Sequence, residues 1–228
     1  MKKLLILAIA MMATVNINAQ IEEGEWTIMP KVGLGIADLT GKLMDSEQVD
    51  GTYDATLHPI TSLAAGLEVE YAMTDQLSLA LGFVYSTQGA KTNGNLFKVK
   101  MDYANIPLTL QYYPIPDCGL AIKAGVQLGI VTRKRLTIDG ITYNADYDVV
   151  RFKDRFGNTA YRYVESEVSK SFHKVDFSIP LGISYELYNV VLDVRYNWGL
   201  TNVMKDDPEN SKNSVWQFTL GYKLHIGD

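Results

Sequence analysis

Eight segments of this chain alternate apolar and polar residues with a period of two, and none of the eight apolar faces carries a charge. A period of two is that of a β-strand whose two faces meet different surroundings. In the stretch VVLDVRYNWGLTNV, which covers residues 190–203, every even position from Val190 to Leu200 is apolar, whereas Asp193 and Arg195 lie on the other face. The pattern restricts the chain to an all-β architecture.

The polar faces of the eight segments hold four basic and five acidic residues, so their charges nearly cancel. These predicted lumen charges are Lys31, Glu68, Glu70, Lys123, Asp176, Glu186, Asp193, Arg195 and Lys223. A charge is tolerable inside a narrow barrel when it is paired, because an unpaired buried partner is costly. On a lipid-facing surface, Arg or Lys at mid-membrane costs about 2–4 kcal/mol. The charged faces are therefore predicted to line a lumen and the apolar faces to contact lipid.

A soluble barrel of the lipocalin kind would reverse these faces, with its apolar side chains around an internal cavity. Two observations favour the membrane alternative. The polar faces are rich in Gly, Ser and Ala and poor in charge for a surface in water. Aromatic residues also gather near both strand ends, as membrane interfaces require. The predicted belts contain Trp26, Tyr71, Tyr112, Tyr185, Tyr196, Trp198, Trp216 and Tyr222.

The connections between the segments alternate in length. Short joins are predicted at 74–75, 114–117 and 188–189, and long joins at 38–60, 88–98, 132–173 and 201–213. The predicted fold is an all-β, eight-stranded antiparallel up-and-down transmembrane β-barrel with short periplasmic turns and long extracellular loops. Pro107 and Pro180 fall inside strands, where each removes a ladder donor, so the pairing is expected to break locally.

The first nineteen residues have the composition of a signal peptide. Lys2 and Lys3 precede an apolar run, and Ala19 is the small residue after which cleavage is expected. We therefore predict a signal peptide at 1–19 and a barrel domain at 20–228, exported to the cell outer membrane. The formal net charge of −5 argues against nucleic acid as a partner. The single cysteine excludes an intramolecular disulfide.

Three runs of the sequence resemble recurrent segments of a known family. They are NIPLTLQY at 105–112, RYNWGLTN at 195–202 and LGYKL at 220–224. All three are similar to segments of the PorT-like, porin-family outer-membrane β-barrel domain. The resemblance implies a small eight-stranded barrel of the Gram-negative cell envelope, and some relatives serve a gliding-associated secretion system. It also implies contact with outer membrane lipids and the barrel assembly machinery, and we expect a monomer. The ending Gly227-Asp228 departs from the family's usual aromatic C-terminal residue.

No pattern in the sequence indicates catalysis or a bound cofactor. His58, His173 and His225 have no Ser and acid partners at the spacing of a catalytic triad. Acidic residues cluster at 50–54 and 206–209, and carboxylates could hold a divalent cation there, but solvated loop charge is the simpler interpretation. We therefore predict no enzyme, no cofactor and no metal site.

The long join at 132–173 contains alternating residues between Asp148 and Tyr163, which predict a hairpin above the membrane. This hairpin either recognises a surface ligand or only stiffens the rim. Eight strands leave an interior just wide enough for side chains. The predicted function is a structural or surface-interaction barrel whose lumen is filled by paired charges. The alternatives are a narrow passive channel and, less favoured, a lipid-modifying enzyme.

Overall fold

The structure is a computed structural model, and it describes residues 23–40, 57–92, 97–115, 118–138, 141–153, 159–166, 170–205 and 210–226. Over these residues the chain forms twelve strands. They are β1 (Trp26–Thr40), β2 (Leu57–Thr74), β3 (Leu77–Thr92), β4 (Phe97–Tyr112), β5 (Leu120–Ile138), β6 (Ile141–Asn144), β7 (Tyr147–Lys153), β8 (Thr159–Glu165), β9 (Val175–Leu187), β10 (Val190–Asn202), β11 (Lys212–Tyr222) and β12 (Leu224–Ile226). The described part of the chain contains no helix with the length and apolar composition that a bilayer span requires. The predicted signal peptide and both acidic clusters lie outside the described residues.

Eight of these strands form a closed antiparallel barrel, which confirms the predicted fold class. Around the wall the order is β1, β2, β3, β4, β5, β9, β10 and β11. The wall closes because β1 also pairs with β11, from Lys31 opposite Gly221 to Thr40 opposite Lys212. Below this seam, β12 pairs with the start of β1. The three connections predicted to be short lie at one end of the barrel, and the other four connections between barrel strands lie at the opposite end.

The barrel has its apolar side chains outside and its charged side chains inside. In β10, Leu192 is 57% exposed and Trp198 is 55% exposed, whereas Arg195 between them is 2% exposed. The same alternation runs through β1, β9 and β11. A barrel with so many large apolar side chains on its outer surface is stable only in apolar surroundings, because exposing apolar surface to water costs about 25 cal/mol per Å².

Pro107 and Pro180, the two prolines that the sequence analysis places inside strands, each interrupt the ladder on one side, as the sequence predicts. The pairing of β3 with β4 runs from Leu81 opposite Leu108 to Val84 opposite Asn105, and Pro107 has no partner on β3. Its neighbour across the gap is Gly82, where an added Cβ would lie 2.9 Å from the Pro107 ring. At Pro180 the pairing of β9 with β5 is broken in the same way. Each proline points inward and fills space beside its gap.

One of the predicted long joins is wrong. The sequence predicts a loop over 88–98, but β3 continues to residue 92 and β4 begins at residue 97. These two strands have 16 residues each and β5 has 19. A tilted membrane strand needs about 9–11 residues, so all three continue beyond the lipid at the long-loop end. The error arises because Thr, Gln, Gly and Lys at 87–91 have loop composition although they pair as a strand.

The join at 132–173 contains the predicted hairpin. β7 pairs with β8 from Tyr147 opposite Glu165 to Lys153 opposite Thr159. Within the described residues, this two-stranded sheet pairs with no barrel strand. β6 instead extends the barrel wall, because it pairs with the outer end of β5. The hairpin is therefore an appendage of the wall.

Candidate functional site

All nine predicted lumen charges are buried inside the barrel, where they form two clusters and one separate acid. The first, called here the mid-barrel cluster, consists of Lys31, Glu68, Lys123, Asp193 and Arg195. The second, called the turn-side cluster, consists of Glu70, Glu186 and Lys223, and it lies nearer to the short turns. Asp176 lies apart from both, near the long-loop end.

Glu68 is the centre of the mid-barrel cluster, and its side chain is 1% exposed. Lys31 donates to its Oε2, and Arg195 Nη2 donates to the same oxygen over 3.2 Å. Its other oxygen accepts a hydrogen bond from Gln111 Nε2 at 3.1 Å and lies 3.7 Å from Lys123 Nζ. One carboxylate thus joins side chains from four other strands: β1, β4, β5 and β10.

Asp193 completes the mid-barrel cluster. Lys123 Nζ donates to its Oδ2 over 2.8 Å, and Arg195 Nη2 lies 3.5 Å from the same atom. Three positive charges therefore face two negative charges in this layer. Buried charges of one sign repel at the low dielectric of an interior, so the layer depends on both carboxylates.

The turn-side cluster has the opposite imbalance. Lys223 Nζ lies 2.8 Å from Glu186 Oε2 and 3.1 Å from Glu70 Oε2. Tyr113 joins them, because its hydroxyl donates to Glu70 Oε1 at 2.8 Å and accepts from Lys223 Nζ at 3.1 Å. One positive charge faces two negative charges here, so the two clusters together are neutral.

Asp176 has no basic partner among the described residues. Its carboxylate accepts a hydrogen bond of 2.5 Å from Thr201 Oγ1. Nearby, a layer of amides crosses the lumen, where Gln127 Nε2 donates to Asn105 Oδ1 at 3.3 Å and to Ser178 Oγ at 3.2 Å. These groups are neutral, so this layer is polar and carries no ion.

An apolar cluster covers the amide layer at the long-loop end. Its buried members are Leu39, Ala90, Val99, Met101, Tyr103, Phe172 and Val203. Phe172 and Val203 come from the connections outside the wall, where Phe172 pairs with Met204 through an isolated bridge. From the short turns upward, the lumen thus contains the turn-side cluster, the mid-barrel cluster, the amide layer and this apolar cap.

Several side chains besides the predicted lumen charges fill the lumen. Gln111, Asn105 and Gln127 lie on polar strand faces, which the period of two predicts to face inward, whereas two aromatic residues were missed. Tyr113 lies just after a strand, where no period remains to indicate its direction. Phe172 lies in a connection, and no sequence signal indicates that it folds back over the barrel.

The structure places the eight predicted belt residues on the outer surface at both ends of the strands. Trp26 contacts Tyr71 next to the short turns, with ring centroids 4.7 Å apart. In the same zone, Tyr112 pairs in register with Leu77, Tyr185 with Leu120 and Tyr222 with Val190, all at strand ends. Toward the long loops, Tyr196 and Trp216 lie 5.0 Å apart, and Trp198 is exposed beyond them.

The three histidines lie in different places. His58 pairs in register with Lys91 near the long-loop end of β2. His173 is exposed beside Phe172, and His225 contacts Glu25 at the short-turn end. Within the described residues, no group of three or more His, Cys, Asp or Glu side chains could hold a metal ion.

Comparison with known proteins gives one family and several solved structures. The family described as outer membrane protein beta-barrel domain matches residues 18–205. Ail, the attachment invasion locus protein of Yersinia pestis in complex with the heparin analogue sucrose octasulfate, is 15% identical over 89% of this chain and 99% of its own, with a TM-score of 0.46. OprG from Pseudomonas aeruginosa is 15% identical over 91% and 99%, with a TM-score of 0.45. Neisserial surface protein A is 12% identical over 89% and 100%, with a TM-score of 0.46. No curated protein sequence matches this chain.

Proposed function

Because the chain belongs to the outer membrane protein β-barrel domain family and lies in the cell outer membrane, we propose that it is a closed barrel with a structural or surface-interaction role. The observation that carries this proposal is the filled lumen. Two ion-pair clusters, an amide layer and an apolar cap occupy it from one end to the other. Ions would have to displace paired charges and then pass an apolar constriction, and both steps cost free energy.

A narrow passive channel is the alternative that one observation favours, because the mid-barrel cluster supplies the charged lining that ion selectivity uses. We expect the wild-type protein to show no conductance steps in a planar bilayer. The variant with both Asp193→Ala and Arg195→Ala should also show none, because the cap and the turn-side cluster remain.

The insertion control is a general porin reconstituted in the same bilayers. The closed-barrel proposal would be contradicted if the wild-type protein showed ion-selective conductance and that conductance changed in the double variant. A lipid-modifying enzyme is the least supported hypothesis for the function. The three candidate catalytic bases, His58, His173 and His225, lie in separate places on the molecule.

The β7–β8 hairpin is the segment that we propose for contact with a surface ligand. It stands outside the barrel ladder, so a ligand can engage it without disturbing the wall. A binding segment of this kind makes few contacts with its scaffold, whereas a rim stiffener must share the stability of the barrel.

Replacing residues 147–165 with a short Gly-Ser linker distinguishes these two roles. We expect the shortened protein to keep its heat-modifiable electrophoretic mobility, with a thermal midpoint that changes by no more than about 2 °C, because the barrel strands lose no pairing partner. The matched control replaces β6 (Ile141–Asn144) with the same linker, which removes a strand that pairs with the wall. If loss of the hairpin lowers the midpoint as much as loss of β6, the hairpin is a rim stiffener.

Within the family, we further propose kinship with the PorT-like branch, on the strength of the runs at 105–112 and 195–202. Both runs lie in barrel strands that line the lumen with Asn105, Gln111 and Arg195. The proposal includes a monomer in contact with outer membrane lipids and delivered by the barrel assembly machinery. The eight barrel strands each pair with a strand on both sides, and this closure supports the monomer, because edge-to-edge pairing needs an open edge.

A further inference from the structure

The outer ends of β3, β4 and β5 form a sheet above the lipid zone whose outward face is basic. The outward residues of this extension that carry a positive charge are Lys91, Lys98, Lys100, Arg133 and Arg135, and they are called here the basic rim patch. None of them is fully buried. They face away from the lumen, because their neighbours in alternation, Val99, Met101 and Lys134, are buried inside.

The register brings like charges directly opposite one another. Lys91 pairs with Lys98 across β3 and β4, and Lys100 pairs with Arg135 across β4 and β5. Directly opposed like charges destabilise an antiparallel pair. Partial burial lowers the pKa of Lys98, and the neighbouring ammonium groups of Lys100 and Lys91 lower it further. This face therefore carries an electrostatic cost that a bound anion would relieve.

Few carboxylates of the described residues neutralise the basic rim patch. Asp102 lies 2.5 Å from Arg135 Nη2 and accepts a hydrogen bond from Thr87 at 2.7 Å. Asp146 accepts from the backbone N–H of Lys134 at 3.1 Å, so that carboxylate is engaged by the main chain. Among the described residues, Asp102 is thus the one carboxylate that forms an ion pair with the basic rim patch, and it also accepts a hydrogen bond from Thr87.

The patch begins where the apolar band ends. Below it on the same outward surface lie Tyr85, Ala104 and Ile130. The next outward residues toward the long loops are Thr87 above Tyr85 and Asp102 above Ala104. With about 3.3 Å per residue and a tilt of about 45°, the patch lies roughly 5–14 Å above the last apolar row. That height covers the lipid headgroup layer and the space just beyond it. Long Lys and Arg side chains can reach back into that layer.

We propose that the basic rim patch binds the phosphate groups of anionic lipid headgroups in the leaflet around the long-loop end of the barrel. Arg forms paired hydrogen bonds with phosphate oxygens, and Lys supplies point charges beside them. The patch faces sideways from the barrel wall, at and just above the headgroup layer, and this orientation fits a lipid better than a soluble polyanion. The inference does not depend on whether the lumen conducts.

The test compares two variants of the full chain that lose the same charge. K98Q/K100Q removes two lysines of the patch, and K205Q/K212Q removes two lysines elsewhere at the long-loop end. Each protein is titrated with phosphatidic acid in phosphatidylcholine nanodiscs, and retained phosphatidic acid is counted by native mass spectrometry. We expect K98Q/K100Q to bind phosphatidic acid about thirtyfold more weakly than wild type, since each of the two basic residues contributes about 1 kcal/mol near an anionic surface and about 1.4 kcal/mol corresponds to a factor of ten. K205Q/K212Q should match the wild type.

Further arms separate the lipid from other sources of phosphate. Competition with inorganic phosphate should release little phosphatidic acid, and nanodiscs of phosphatidylcholine alone should give no difference among the three proteins. Heat-modifiable mobility verifies that every variant is folded, and R133Q is a second patch variant should K98Q/K100Q fail to fold. Equal retention by wild type and K98Q/K100Q, equal loss in K205Q/K212Q, or full displacement by millimolar inorganic phosphate would each overturn the proposal.

Discussion

Replacing Glu68 with Gln is expected to destabilise the folded barrel by about 3–5 kcal/mol, the range for breaking a buried ion pair on one side. Glu68 holds Lys31, Lys123 and Arg195 in one buried layer. Without its charge, these three cations face only Asp193. Urea unfolding in detergent micelles, followed by tryptophan fluorescence, measures the free energy of unfolding.

Two further variants show whether charge is the cause. Asp75→Asn removes an acid from an exposed short turn and should change the free energy of unfolding by less than about 0.5 kcal/mol. Arg195→Met combined with Glu68→Gln removes one cation and one anion, so the double variant should be more stable than the sum of the single changes predicts. Additive single changes, or a Glu68→Gln protein as stable as wild type, would show that the layer tolerates the imbalance.

Replacing Gly33 with Ala is expected to open the seam at which the barrel closes. A Cβ at Gly33 would lie 1.9 Å from the carbonyl oxygen of Phe218 and 2.6 Å from the Cα of Thr219. Both atoms belong to the backbone of β11, so no side chain can rotate away and the strands must separate. We expect a loss of about 3 kcal/mol or more. The fraction of protein with heat-modifiable mobility after refolding should fall accordingly.

Gly35 is the matched control on the same strand. The nearest atom to a Cβ there is the Ser62 hydroxyl oxygen at 3.2 Å, and a hydroxyl can rotate. Gly35→Ala should therefore refold nearly as well as wild type. Equal refolding of the Gly33 and Gly35 variants would mean that β1 and β11 do not approach as closely as the structure has them.

The architecture was predictable because the membrane imposes the same rule on every strand. Within the lipid, each outward residue must be apolar and each backbone group must pair, so eight strands of period two leave little besides a closed barrel. The breaks at Pro107 and Pro180 were equally predictable, because a proline has no N–H to donate to a neighbouring strand. These features depend on local chemistry that any strand carries in its own residues.

The pairing of the interior charges was not predictable, because it depends on register and curvature across the whole wall. Glu68 and Glu70 are two residues apart on one strand face, yet Glu68 joins the mid-barrel cluster and Glu70 joins Lys223 and Tyr113. Charge balance over the set does not indicate which partner each acid meets. The apolar cap was also not predictable from the sequence. Phe172 and Val203 reach the lumen from connections whose sequences show no alternation of apolar and polar residues.

The contacts of Glu68 reach strands that are not neighbours in the wall. Glu68 lies on β2, Lys123 on β5 and Arg195 on β10, so the side chains span the interior in several directions. Flattening or widening the cross-section would have to stretch or compress hydrogen bonds of 2.8 to 3.2 Å. The barrel is thus mechanically stiff across its width. Lateral tension in the membrane would therefore deform the bilayer around the barrel but not the barrel itself. The segments above the rim would keep their spacing.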